Sequence, residues 1–140
     1  MTEKFKILAK FIKDLSVETK DAETYLYVKD NISKYQMDIN INSKALKNKM
    51  IEVNTILSFQ DKEKNNLRSY FEMTYATIIN INENVKDKAE MEEIILRDLQ
   101  KIIAPDLEKS FLNILHDSGY KNIKFQKKLD FDKLYNEIFN

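Results

Sequence analysis

This chain of 140 residues has no cysteine, no tryptophan, and one each of glycine, proline and histidine. Without cysteine there is no disulfide frame and no thiolate metal site, which suits a reducing compartment such as the cytoplasm. Glycine-rich loops cradle phosphates because only glycine lets several backbone amides approach one anion. A chain whose one glycine is Gly119 cannot build such a loop. His116 cannot form a two-histidine metal site, and any Ser-His-Asp arrangement would have to be centred on it. Its place near the end of a helical pattern suggests a solvent-facing imidazole beside the negative helix end. No cofactor, no metal and no enzymatic chemistry are expected.

Long apolar runs are missing too. No stretch approaches the roughly 20 apolar residues of a spanning helix. Lysines alternate with apolar residues from Lys4 to Lys13, so the N-terminus has no continuous apolar core of a signal peptide. No stable membrane insertion is expected. Excess charge is also absent: 23 basic and 23 acidic residues cancel, which excludes wholesale attraction to nucleic acid. With 43% apolar and 33% charged residues, the chain suits one folded domain, 1–140.

The periodicity that is present divides the chain near residue 84. Tyr35, Met37, Ile39 and Ile41 alternate with Gln36, Asp38, Asn40 and Asn42, the period of a strand with one buried face. The same parity recurs in Ile51, Val53, Thr55, Leu57 and Phe59, and again from Phe71 to Ile81, with a polar hairpin at 61–66 between them. In the first segment Phe5, Ile7, Ala9 and Phe11 share one parity, while Leu8 and Ile12 take the other. That reads as a strand covered on both sides, by its own core and by another subunit. The connection Thr19 to Ser33 reads as a long functional loop carrying Tyr25, Leu26, Tyr27 and Val28.

From Asp87 to Asp117 the period is helical. Ile95, Leu99, Ile102, Leu107, Phe111, Ile114 and Leu115 form a stripe about eight turns long. Pro105 predicts a kink near Lys101 to Ala104, and Gly119 is the expected cap. Asp130 should open a second, short helix with Phe131, Leu134, Tyr135 and Ile138 on one side. The predicted fold is α+β, a four-stranded antiparallel sheet followed by a long kinked helix and a short C-terminal helix.

Several strings, in order, resemble the SecB family of bacterial protein-export chaperones. They are Lys13-Asp14-Leu15-Ser16-Val17-Glu18, Lys29-Asp30 before the Tyr35 to Asn42 strand, Met50-Ile51-Glu52-Val53, Ile103-Ala104-Pro105, and Asp130-Phe131-Asp132-Lys133-Leu134-Tyr135. The chain departs from the family pattern in its neutral charge and in Ala76-Thr77, where a glycine pair is usual. The resemblance implies a cytoplasmic homotetramer, a dimer of dimers, that holds unfolded preproteins without ATP and passes them to the motor SecA. A SecB-like chaperone that guards an antitoxin of a toxin-antitoxin system is the close alternative. The client groove that the resemblance implies would use Tyr25, Tyr27, Tyr35, Met37, Ile39, Leu134, Tyr135 and Ile138. Aromatic and methionine side chains suit promiscuous binding, although Met37, Ile39 and Leu134 could equally be core. The implied SecA-binding surface is Asp14, Glu18, Tyr70 and Glu72. Two other readings carry less: a small enzyme using Glu92 or Glu93, and an anionic-surface binder using Lys121, Lys124, Lys127 and Lys128.

Overall fold

The structure is a computed structural model and describes residues 4–61, 67–121 and 123. The hairpin connection expected at 61–66 and the helix expected from Asp130 therefore lie, but for Asp61, outside the described residues. Four strands, β1 (Phe5–Glu18), β2 (Tyr35–Ala45), β3 (Met50–Asp61) and β4 (Tyr70–Ile81), form one antiparallel sheet in the order β1-β4-β3-β2. The alternation read from the sequence selects the buried face. Val53, Leu57, Phe71, Met73 and Ile79 point under the helix with no exposed surface.

The helix covering that face runs continuously through α2 (Lys88–Glu93), a π-helical turn (Ile94–Asp98) and α3 (Leu99–Asp117). Leu99, Ile103, Leu107, Phe111 and Leu115, spaced by four, form a fully buried ridge. Each such side chain contributes roughly 1.5–3 kcal/mol by leaving water. Ile103 takes the place expected for Ile102, which is 55% exposed.

The irregular turn also lies upstream of its expected site near Pro105. In the π turn the Leu99 amide bonds to Ile94 O, and Gln100 Nε2 donates to Ile95 O at 3.1 Å. Gln100 is fully buried, and its Oε1 accepts from Thr55 Oγ1 of β3 at 2.9 Å. One side chain thus satisfies a carbonyl of the wide turn and ties the helix to the sheet.

β1 carries apolar residues on both faces, but not in the grouping that strict alternation predicts. Its register against β4 slips between Ile7 and Ala9 and again between Ile12 and Asp14, so Leu8 and Lys13 are bulge residues. Each slip reverses parity. Phe5, Ile7, Lys10, Ile12, Leu15 and Val17 consequently share the helix face, and Ala9, Phe11, Asp14, Ser16 and Glu18 share the outer face. Lys10 marks the reversal by reaching Asp106 of α3 at 2.8 Å.

Candidate functional site

The segment expected to be a loop is largely a helix, α1 (Ala22–Asn31). Asp21 caps it by accepting from Thr24 N at 2.8 Å, and hydrogen bonding to Thr24, first its side chain and then its backbone, holds the carboxyl below the usual range. Thr24 and Val28 are buried and Tyr25 and Ile32 partly so, the spacing of a helix with one packed face. Propensity at Tyr25 to Val28 suggests an aromatic loop, but the cap and the three- and four-residue spacing prevail.

That face meets the end of α3. Gly119, at φ 104°, ends the helix in a conformation that disfavours any Cβ. The amides of Gly119 and Tyr120 satisfy His116 O and Leu115 O at 3.1 and 3.0 Å. Tyr25 Oη donates to Gly119 O at 2.7 Å, and the Tyr25 ring lies 5.2 Å from that of Tyr120. Tyr120 packs edge-on against Phe71 at 5.5 Å, and Phe71 continues to Phe59 and Tyr35. An aromatic floor therefore runs from α1 across the sheet to β2.

Ser69 joins these rings. Tyr35 Oη accepts from Ser69 N at 2.9 Å and donates to Ser69 O at 3.2 Å. Ser69 Oγ lies 3.0 Å from Tyr120 Oη and 2.6 Å from Thr19 Oγ1. Burial pushes the Tyr35 phenol up from its ordinary value. At the α1 end of this row of rings opens a cavity of about 650 Å³, whose walls include Tyr25, Lys29, Ile32, Gly119, Tyr120 and Ile123. His116 is half-buried, its Nε2 3.2 Å from Ile123 O, and so holds the cavity wall instead of facing solvent.

Of the expected groove residues, Tyr25 lines the cavity; Tyr35, only 8% exposed, is not among its walls and is linked to them through Ser69 and Phe71. Tyr27 sits half-buried on another side of α1, where its carbonyl accepts from Asn31 Nδ2. Met37 and Ile39 follow Tyr35 along β2, half-buried on the helix face and packed against the core. Leu134, Tyr135 and Ile138 lie outside the described residues. Sequence reasoning passed over Ser69, Tyr120, Ile32 and Ile123. The Asp21 cap with Tyr25, Val28 and Ile32 at helical spacing was the available signal for α1; nothing local marks Ser69.

The expected acidic surface is assembled on the opposite side of the sheet. The two reversals in β1 cancel, so Asp14, Ser16 and Glu18 return to the outer face beside Thr74, Glu72 and Tyr70. Asp14 and Glu18 are exposed, Tyr70 and Glu72 half-buried. Ser58 of β3 donates to Glu72 at 3.4 Å. Burial, the bond to Glu72, and the charges of Glu72 and Asp14 all push the Tyr70 phenol up. Next to this corner, Lys13 and Asn54 both donate to Glu52, holding its carboxyl low.

The competing sites find less support. Glu93 is paired with Arg97 on the next helical turn. Among the described residues no three His, Asp or Glu side chains gather as a metal site.

The family model "Preprotein translocase subunit SecB" matches residues 1–140. The chain is similar to the "Putative protein-export protein SecB" of Pelagibacter ubique (strain HTCC1062), with 55% identity over 140 residues and complete coverage of both chains. Among solved structures it is similar to the Mycobacterium tuberculosis SecB-like chaperone Rv1957, in complex with a ChAD peptide from the HigA1 antitoxin Rv1956. That likeness has a TM-score of 0.65, covers 89% of this chain and 90% of the other, and at 7% identity is one of fold.

Proposed function

This chain belongs to the SecB family, and from that premise we propose how it holds its clients and meets its motor. It is an export chaperone, not an enzyme, and its family binds unfolded preproteins and SecA. Among the described residues no helix is long and apolar enough to cross a membrane. We place it in the cytoplasm as a single domain, acting without ATP and without nucleic-acid partners.

The cavity between α1 and the end of α3 is the client groove, with Met37 and Ile39 extending it along β2. The observation that carries this reading is the Tyr25–Tyr120 pair standing at an open cavity, backed by Phe71. A non-native chain is distinguished by exposed apolar runs, and such a cavity accepts large side chains without demanding one sequence. Tyr25→Ala with Tyr27→Ala should sharply reduce the protein's ability to delay refolding of an unfolded client. Unchanged activity in a folded variant would refute the assignment.

Asp14, Glu18, Tyr70 and Glu72 form the SecA surface. Their shared outer face supports this, since clustered carboxylates raise the association rate of a basic partner and orient it. Pull-down with SecA should succeed with the wild type and fail with Asp14→Lys plus Glu72→Lys. Retention of SecA by the double variant would sink the reading.

The assembly is a dimer of dimers. On the helix face of β1, Ile12, Leu15 and Val17 are 40–45% exposed, and Ile102 of α3 is 55% exposed. An uncovered apolar strip of this kind calls for a second copy, and several grooves then act on one client at high effective concentration. Light scattering should give a mass about four times 16.6 kDa; Leu15→Lys with Ile102→Lys should lower it. A wild-type monomer would exclude the tetramer. Antitoxin guarding is the second reading, because the Rv1957 neighbour holds an antitoxin peptide; the export-named relative at 55% identity favours the first.

A further inference from the structure

We propose that the ion pair between Lys10 of β1 and Asp106 of α3 lies inside the contact between two copies of this chain and fixes the register in which they meet. The proposal deepens the assembly reading and rests on it. The first bulge of β1 turns Lys10 to the helix face, with Ile12, Leu15 and Val17, where strict alternation would turn it outward. There Lys10 Nζ lies 2.8 Å from Asp106 Oδ2. Asp106 stands one helical turn beyond Ile102, on the same side of α3. The pair is therefore bordered by Ile12 on the strand and Ile102 on the helix, which are 43% and 55% exposed.

Within one copy the pair does little. Its side chains are 36% and 56% exposed, and water screens charges held in this way. A second copy that covers Ile12 and Ile102 also removes water from the pair that they border. Apolar side chains attract without direction, so the strip of Ile12, Leu15, Val17 and Ile102 does not by itself choose one alignment. A dry ion pair does choose, because setting its charges against apolar surface or like charge is costly. A second copy related by a two-fold axis presents the same cation and anion in reverse order, so opposite charges meet at one alignment. A non-native client carries no such fixed pattern. The pair therefore fits a second copy of this chain as the occupant of the strip.

Sedimentation velocity of the full chain over a range of concentrations tests this by the concentration at which half the chains assemble. Lys10→Gln and Asp106→Asn keep side-chain size but leave one buried charge unmatched, so each should raise that concentration about tenfold or more. Lys10→Asp and Asp106→Lys should each assemble as poorly when alone. An equimolar mixture of these two should recover assembly to within about threefold of wild type, because opposite charges then face each other between copies. Single variants all within about threefold of wild type, as an exposed pair would give, would overturn the proposal and leave the tetramer standing. So would a mixture no better than its components while Lys10→Asp with Asp106→Lys in one chain restores assembly, since a bond within one copy explains that pattern. A wild type that stays monomeric throughout would overturn the assembly reading and this proposal together.

Discussion

Gly119→Ala tests the joint between α1 and the long helix. The backbone at φ 104° strains any residue with a Cβ, at about 1–2 kcal/mol. The added methyl would also stand 2.8 Å from Tyr25 Cε2 and 3.1 Å from its Cζ and Oη. The ring borders the open cavity, so it can retreat only by giving up its contacts. It lies 5.2 Å from Tyr120 and is tied through its hydroxyl to the carbonyl of Gly119 itself. Displacing it forfeits a hydrogen bond of about 1 kcal/mol and a ring contact of about 0.5–1.5 kcal/mol. The total loss is about 2.5–4.5 kcal/mol. Urea unfolding at fixed protomer concentration should show the midpoint falling by about 1–2 M. In a Tyr25→Ala background the clash is gone, so the same substitution should cost only about 1–2 kcal/mol. A Gly119→Ala loss below about 0.5 kcal/mol, or equal losses in both backgrounds, would refute the reasoning.

Gln100→Leu should destabilise by about 1–3 kcal/mol, because Thr55 Oγ1 and Ile95 O lose their buried partner. Adding Thr55→Val should recover part of that loss in the same unfolding assay. Tyr35→Phe, which removes both bonds to the Ser69 backbone, should cost about 1–3 kcal/mol and weaken client binding through the floor; an unchanged urea midpoint would count against Ser69 as the link. Asp21, Glu52 and Asp106 have carboxyls held below ordinary values of 3.8, 4.5 and 3.8 by bonds to Thr24, Lys13 and Lys10. Their stabilisation is complete above those values and is lost as pH falls through the depressed folded ones. Stability followed from pH 6 to 3 should therefore decline more steeply in wild type than in Asp21→Asn/Glu52→Gln/Asp106→Asn.

The sequence by itself determined what depends on local period. Alternation along Tyr35 to Ile41, Ile51 to Phe59 and Phe71 to Ile81 selects the helix-facing side, since side chains of an extended chain alternate without reference to a partner. The helical stripe, the cap at Gly119 and the outer-face placement of Glu72 follow from the same local rules. α1 went unread, because the aromatics of Tyr25 to Val28 suggested a loop while its signal, the Asp21 cap with Tyr25, Val28 and Ile32 at helical spacing, was local. Only the tertiary structure decided the rest. Parity in β1 reverses at Leu8 and Lys13 because pairing with β4 sets the register, and no residue within β1 carries that information. The wide turn at Ile94–Asp98 is satisfied by Gln100, whose other partner, Thr55, is 45 residues away. The cavity depends on Tyr25 meeting Gly119 across 94 residues and on Ser69 joining Tyr35 to Tyr120. Such hydrogen bonds form only once the sheet and the helix have brought distant segments together, so spacing along the chain could supply the cavity's rings but not their arrangement.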